Sequence, residues 1–158
     1  EWAMVLLRPG EMVDSVNQQN YFTALVEIEQ TDNQELARAA YEGALSYWPE
    51  SEFLLTGLGN AAYRIGDMSQ SESAFRNLLK DHPESVIGRN NLASVLLAQG
   101  CTAQALEQVE YAEILLDNDQ RFADMVETTR QEISESITQF GALKCDNRRG
   151  LQDYGDQP

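Results

Sequence analysis

The chain has 158 residues, 42% of them hydrophobic and 23% charged, which is ordinary globular composition and excludes disorder through most of its length. Eleven Lys and Arg against 26 Asp and Glu give a formal charge of −15, opposite in sign to what a nucleic-acid backbone or an anionic bilayer would attract. No apolar stretch reaches the length of a membrane span.

In chain order, the first element is the apolar run Trp2–Leu7, stopped by Pro9-Gly10. It reads as a buried strand within an N-terminal stub of residues 1–17. A lone strand must satisfy its backbone groups somewhere. It either packs irregularly on the neighbouring helices or closes an upstream domain, and the absence of an initiator Met or signal-peptide pattern fits a chain that begins inside a longer protein.

From residue 18 onward the chain repeats. Sliding it by 34 residues aligns Asp32 with Gly66 and Gly100, Ala37 with Ser71 and Ala105, and Tyr41 with Phe75 and Val109. Ala44, Leu78 and Ala112 come next, then Pro49, Pro83 and, breaking the pattern, Asp117. Upstream in each unit, Ala24, Leu58 and Leu92 align, as do Leu25, Gly59 and Ala93. Each unit, 18–51, 52–85 and 86–119, reads as two amphipathic helices with apolar positions three and four apart. The turns fall at Thr31-Asp32-Asn33, Gly66-Asp67 and Gly100, where Gly or Asn accepts a left-handed backbone. Ser51, Ser69 and Thr102 are expected N-caps. Small residues fill seven of the nine close-approach positions, Leu25 and Leu78 being the exceptions, so tight helix pairs are expected with slightly splayed crossings at those two.

After the repeats, Phe122, Val126, Thr129, Ile133, Ile137 and Phe140 lie along one helical face of residues 120–140. This predicts a capping helix over the third unit. Residues 141–158 lack periodicity and read as a loose tail. Cys101 and Cys145 are far apart, with no CxxC pair, and read as two unrelated thiols, a disulfide being the alternative.

The pattern resembles the tetratricopeptide repeat, whose signature is W-x2-L-G-x2-Y, then A-x3-F and Pro at a period of 34. The middle unit matches best, with Leu55-x2-Leu58-Gly59, Ser71-x3-Phe75 and Pro83. The resemblance implies an all-α, right-handed superhelical solenoid of three helix-turn-helix units plus the capping helix. The segment Trp2-Ala3-Met4-Val5-Leu6-Leu7-Arg8-Pro9-Gly10-Glu11 also looks like the junction W-A-x-V-x-L-x-P-G-E of bacterial papain-like cysteine peptidases that carry such repeats. That resemblance implies an accessory substrate-positioning or assembly region of a peptidase whose catalytic Cys and His lie upstream.

Within the chain, catalytic chemistry is not expected. His82 is the one histidine and sits at a helix end before Pro83. Phosphate loops, zinc motifs and nucleophile elbows do not occur, so neither metal nor cofactor is expected. Acidic pairs such as Glu107 with Glu110, and Glu27 with Glu29, read as solvated helix faces.

In tetratricopeptide arrays the first helix of each unit lines a concave groove. By register, that groove comprises Phe22, Val26, Glu29 and Gln30, then Phe53, Thr56, Asn60, Tyr63 and Arg64, then Ile87, Asn90, Asn91, Ser94 and Leu97. The family's carboxylate clamp for acidic chaperone tails would need cations where this chain has Phe22, Val26, Asn60, Ile87 and Asn91. The expected function is therefore an interaction scaffold for a protein or peptide with apolar side chains. Occlusion by its own tail, an upstream domain or a second copy, and a purely structural spacer, are the alternatives.

Overall fold

The computed structural model describes residues 15–31, 33–116 and 120–145, with side chains from residue 21 onward. Seven helices occupy the described residues and account for all of their regular structure: α1 (Ser15–Glu29), α2 (Gln34–Leu45), α3 (Glu52–Arg64), α4 (Met68–Asp81), α5 (Val86–Ala98), α6 (Thr102–Leu116) and α7 (Ala123–Phe140). Among the described residues, no helix is long and apolar enough to cross a membrane. The strand expected over residues 2–7 lies outside the described residues, as does the segment beyond residue 145.

The helix starts are set by side-chain capping. Asn33, Ser51, Asp67 and Ser85 accept the backbone amides of Leu36, Leu54, Gln70 and Gly88 at 3.0–3.4 Å. Each such cap contributes about 1 kcal/mol. Ser51 is a cap as expected, but α4 is capped by Asp67 and not by Ser69, because the carboxylate precedes the first helical residue and Ser69 already lies within the helix. Thr102 opens α6 as a helical residue, and its hydroxyl is engaged by Gly141 and Leu143 after α7. Asn33 has φ −92°, so it caps α2 without the left-handed backbone expected of it.

At Gly66 and Gly100 the backbone is left-handed, with φ 85° and 77°. The next amides, of Asp67 and Cys101, reach back five residues to Ala62 O and Leu96 O at 2.9 and 2.8 Å. These turns end α3 and α5 by the Schellman arrangement, which satisfies carbonyls that a helix end otherwise leaves open.

The chain divides into two units after Pro83. In the first, α2 packs on α1 and α3, and α3 packs on α4. Tyr41 and Phe75 are its largest buried side chains, and each lies against a glycine of α3, Gly57 and Gly59 respectively. The Ser71 hydroxyl, fully buried, donates to Gly59 O at 2.8 Å across the α3–α4 contact. A Cβ at position 59 would lie 2.5 Å from the Phe75 ring, so the absence of a side chain there is what permits this approach.

In the second unit, α6 packs on α5, and α7 packs on both. Ala93, Ala105, Val109, Ala112, Val126 and Ile133 form its closed interior. Arg130 of α7 bridges Glu113 and Glu110 of α6 at 3.0 and 3.7 Å. The apolar stripe expected along α7 is buried only at Val126, Thr129 and Ile133; Ile137 is half-buried and Phe140 is 62% exposed. The helix outruns the surface it covers, so its last turn emerges from the packing.

The cysteines depart most from the expectation of two separate thiols. Cys101 and Cys145 form a disulfide with Cα atoms 5.1 Å apart, although 44 positions separate them in sequence. The α6–α7 hairpin returns the chain to the start of α6, which brings together two positions that sequence spacing sets apart. Residues 141–145, expected to open a loose tail, are in consequence held as a strap along the first turn of α6.

Candidate functional site

The 3.6-residue period puts Phe22, Val26 and Glu29 on one side of α1, and Phe53, Asn60 and Arg64 on one side of α3. The structure brings these two sets together within the first unit. Phe22 and Phe53 meet with ring centroids 4.9 Å apart, and Glu29 Oε1 lies 3.8 Å from Arg64 Nη1 near the ends of both helices. The two helices therefore run in the same sense, with an aromatic contact early in α3 and an ion pair at its end.

Residues outside the sequence-derived set hold the aromatic part. Trp48, from the turn between α2 and α3, meets Tyr21 and Phe22 edge-on, both at 5.6 Å. Tyr47 adds a tilted contact with Trp48 at 5.9 Å, and Tyr41 meets Phe53 edge-on at 6.1 Å. Edge-to-face pairs of this kind contribute roughly 0.5–1.5 kcal/mol each beyond area burial. They fix Phe22 and Phe53 as a rigid platform. The one sequence signal for Trp48 was its position just before the repeat's Pro49.

The accessible apolar surface of this unit sits on the same elements. Val26, Phe53 and Tyr63 are 39%, 38% and 39% exposed, and they are the unit's large exposed hydrophobic side chains among the described residues. Thr56 and Asn60 are half-buried on α3, and Gln30 is exposed at the end of α1. At the polar end, Arg64 also donates to Gln34 Oε1 at 3.2 Å. Beneath it, the Tyr41 hydroxyl is buried and meets hydrogen-bond geometry with no group among the described residues. Burial, reinforced by the Glu29 carboxylate and opposed by Arg64, holds this phenol well above its usual range.

In the second unit, Ile87, Asn91, Ser94 and Leu97 are half-buried on α5. Asn90 differs from the expectation of an open contact: it is 3% exposed, with Nδ2 donating to Asn91 Oδ1 at 3.3 Å, while Ser94 Oγ donates to its carbonyl oxygen. One residue of rotation around the helix carries Asn90 from the face into the packing.

Candidate catalytic groups are not assembled. His82 caps the end of α4, with Nε2 2.7 Å from the Glu50 carbonyl oxygen. Both cysteines are consumed in the disulfide. Among the described residues, no cluster of His, Cys, Asp and Glu could hold a metal ion. An open cleft of about 470 Å³ lies elsewhere on the first unit, floored by Leu45, Leu55, Leu58 and Ala74 with Lys80 and Asp81 at its edge; it shares no residue with the aromatic face.

Paired antiparallel helices, glycine-ended turns and small residues at each crossing define a helical-repeat protein of the all-α solenoid class. Residues 56–120 match the family model described as tetratricopeptide repeat. Solved structures agree. The chain is similar to the TPR2B domain of yeast Sti1 in its pHsp70 complex, at 16% identity and a TM-score of 0.69, over 74% of this chain and 95% of that one. It is similar to SycD, the type III secretion translocator chaperone of Yersinia enterocolitica, at 14% identity and 0.75, over 81% and 88%. It also resembles the TPR2AB domains of yeast Sti1 in their pHSP90 complex, at 16% identity and 0.71, over 84% of this chain and half of that one. No curated protein sequence matches it. Residues 56–120 thus carry the tetratricopeptide-repeat pattern, and the described residues share the fold of these solved structures.

Proposed function

We propose that this chain is a non-catalytic interaction module that holds a peptide segment with apolar anchor side chains on the α1–α3 face. The observation that carries this reading is the coincidence of exposure and rigidity. Val26, Phe53 and Tyr63 are open to solvent, while the ring cluster of Phe22, Trp48 and Tyr41 immobilises the platform around Phe53. Pre-ordered aromatic anchors lose little entropy on binding, and apolar patches of this kind mark contacts.

The type of peptide is set by charge. The similar Sti1 domains are complexed with pHsp70 and pHSP90, yet among the described residues the cation of this face is Arg64, already beside Glu29 and Gln34. An isolated carboxylate brought to Phe22, Val26 and Asn60 would lose hydration without a cationic partner. Apolar anchors suit the exposed Val26, Phe53 and Tyr63 better.

Selection from a displayed random-peptide library, with fluorescence anisotropy on purified variants, tests the reading. Enriched peptides carry aromatic or branched aliphatic anchors. Tyr63→Ala combined with Val26→Ala weakens them by roughly tenfold or more, the size of about 1.4 kcal/mol, with helicity unchanged. Equal affinity for wild type and double variant would place the site elsewhere. Light scattering after size exclusion gives a monomer, and a dimer that dissociates on Tyr63→Ala would assign the face to a second copy.

A further inference from the structure

The cysteines do more than close a loop. The strap from Gly141 to Cys145 is read by the first turn of α6 through both backbone and side chains. Ala103 N–H donates to Leu143 O at 2.9 Å, so a helix-terminal amide is satisfied from outside the helix. Leu143 N–H donates to Thr102 Oγ1 at 2.8 Å, and that hydroxyl donates to Gly141 O at 3.1 Å. The Gln104 amide pairs with both backbone groups of Cys145, giving a hydrogen to its carbonyl at 2.8 Å and accepting its N–H at 3.2 Å. Thr102 and Cys101 are almost fully buried beneath this strap. Where α2, α3, α4 and α5 use a Ser, Asn or Asp cap, α6 is served by a segment about forty positions away along the chain.

From this arrangement we infer that Cys101 and Cys145 form a redox-operated clasp that governs the end of the repeat array. Oxidised, the clasp caps α6 and fastens the end of α7 to the start of α6. Reduced, the strap is held only by its hydrogen bonds, opens, and leaves the first turn of α6 and the last turn of α7 to fray. Cys145 is the more accessible residue, half-buried where Cys101 is 2% exposed. Its thiolate therefore attacks a disulfide-bearing oxidant first, giving a mixed disulfide and one thiol. The Cys101 thiolate then displaces the second thiol and forms the intramolecular bond. The two protein thiols pass two electrons and two protons to the donor disulfide, which becomes two thiols; a dithiol reductant reverses the sequence. The Gln104 contacts hold Cys145 in place for the second step, which makes Gln104 a positioning residue.

Trypsin supplies the test, because Lys144 precedes Cys145 and the bond between them lies inside the clasp. The full chain is digested oxidised, digested after reduction, and compared with Cys145→Ser, with cleavage after Lys144 monitored by mass. Opening governs cleavage of a held segment, so reduction or Cys145→Ser accelerates cleavage at that bond by roughly tenfold or more while far-UV helicity is retained. Gln104→Ala, which keeps both cysteines, lowers the oxidised fraction at a fixed ratio of reduced to oxidised glutathione. Equal cleavage rates in oxidised and reduced protein would overturn the clasp. So would an unchanged redox equilibrium in Gln104→Ala, or alkylation of two free thiols in protein equilibrated with excess oxidised glutathione.

Discussion

Replacing Gly59 by Ala is a sharp test of how the helix pairs are held together. A Cβ at that position would lie 2.5 Å from Phe75 Cζ and 2.7 Å from both Cε atoms. Carbon atoms prefer separations of about 3.5–4.0 Å, so the ring must retreat by about 1 Å. Phe75 is 1% exposed and has no solvent to retreat into. Overpacking of this kind costs about 1–3 kcal/mol. Against it stands the helix preference of Ala over Gly, about 0.5–1 kcal/mol. The steric term wins, and the expected net loss is about 0.5–2 kcal/mol, read as a lower urea midpoint at unchanged m-value by circular dichroism. Gly59→Leu loses more. Phe75→Leu in the Gly59→Ala background returns part of the loss, giving a non-additive cycle. Stability equal to or above wild type for Gly59→Ala would refute the close approach of α3 to α4.

Three further outcomes are expected from the same structure. Asp67→Ala lowers stability by about 1 kcal/mol while Ser69→Ala changes it little, since only Asp67 accepts a helix-terminal amide; thermal melts of both variants check this. Tyr41→Phe is neutral or stabilising near pH 7, because it removes a buried hydroxyl that meets hydrogen-bond geometry with no group among the described residues. The raised phenol pKa adds a pH signature. Above about pH 10 an unfolded tyrosine loses its proton while the folded one keeps it, so the unfolded state binds fewer protons and stability falls as pH rises; urea titrations from pH 8 to pH 11, a range chosen to bracket about 10, should show a shallower decline in Tyr41→Phe. Finally, reduction of Cys101–Cys145 removes a constraint on a 44-position loop, which the chain-entropy relation sets at about 4 kcal/mol; guanidinium unfolding with and without reductant measures it.

The sequence carried the helix pairs because their causes are local. Apolar residues three and four apart, Gly66 and Gly100 at the turns, and Ser51 before α3 each act within a few positions, and the structure keeps them. The same register singled out Val26, Phe53 and Tyr63, each of which is exposed. What escaped depends on distance along the chain. Cys101 meets Cys145 only because α6 and α7 form a hairpin, and Trp48 joins Phe22 only because the α2–α3 turn folds back over α1. Asn90 illustrates a finer limit: its spacing from Ser94 is right for a shared face, yet rotation of α5 buries it. Phe140 fails for the opposite reason, its stripe continuing past the end of the surface that α7 covers.

The most direct test of the interaction face uses Trp48, which touches Phe22 of the aromatic platform. In a Trp2→Phe background Trp48 becomes the single tryptophan, and its emission can be monitored while a library-selected peptide is titrated in. The account predicts a saturable change whose midpoint matches the anisotropy isotherm and which moves to higher concentration in Tyr63→Ala. Binding by anisotropy with Trp48 emission unchanged, and with the midpoint unmoved in Tyr63→Ala, would contradict it.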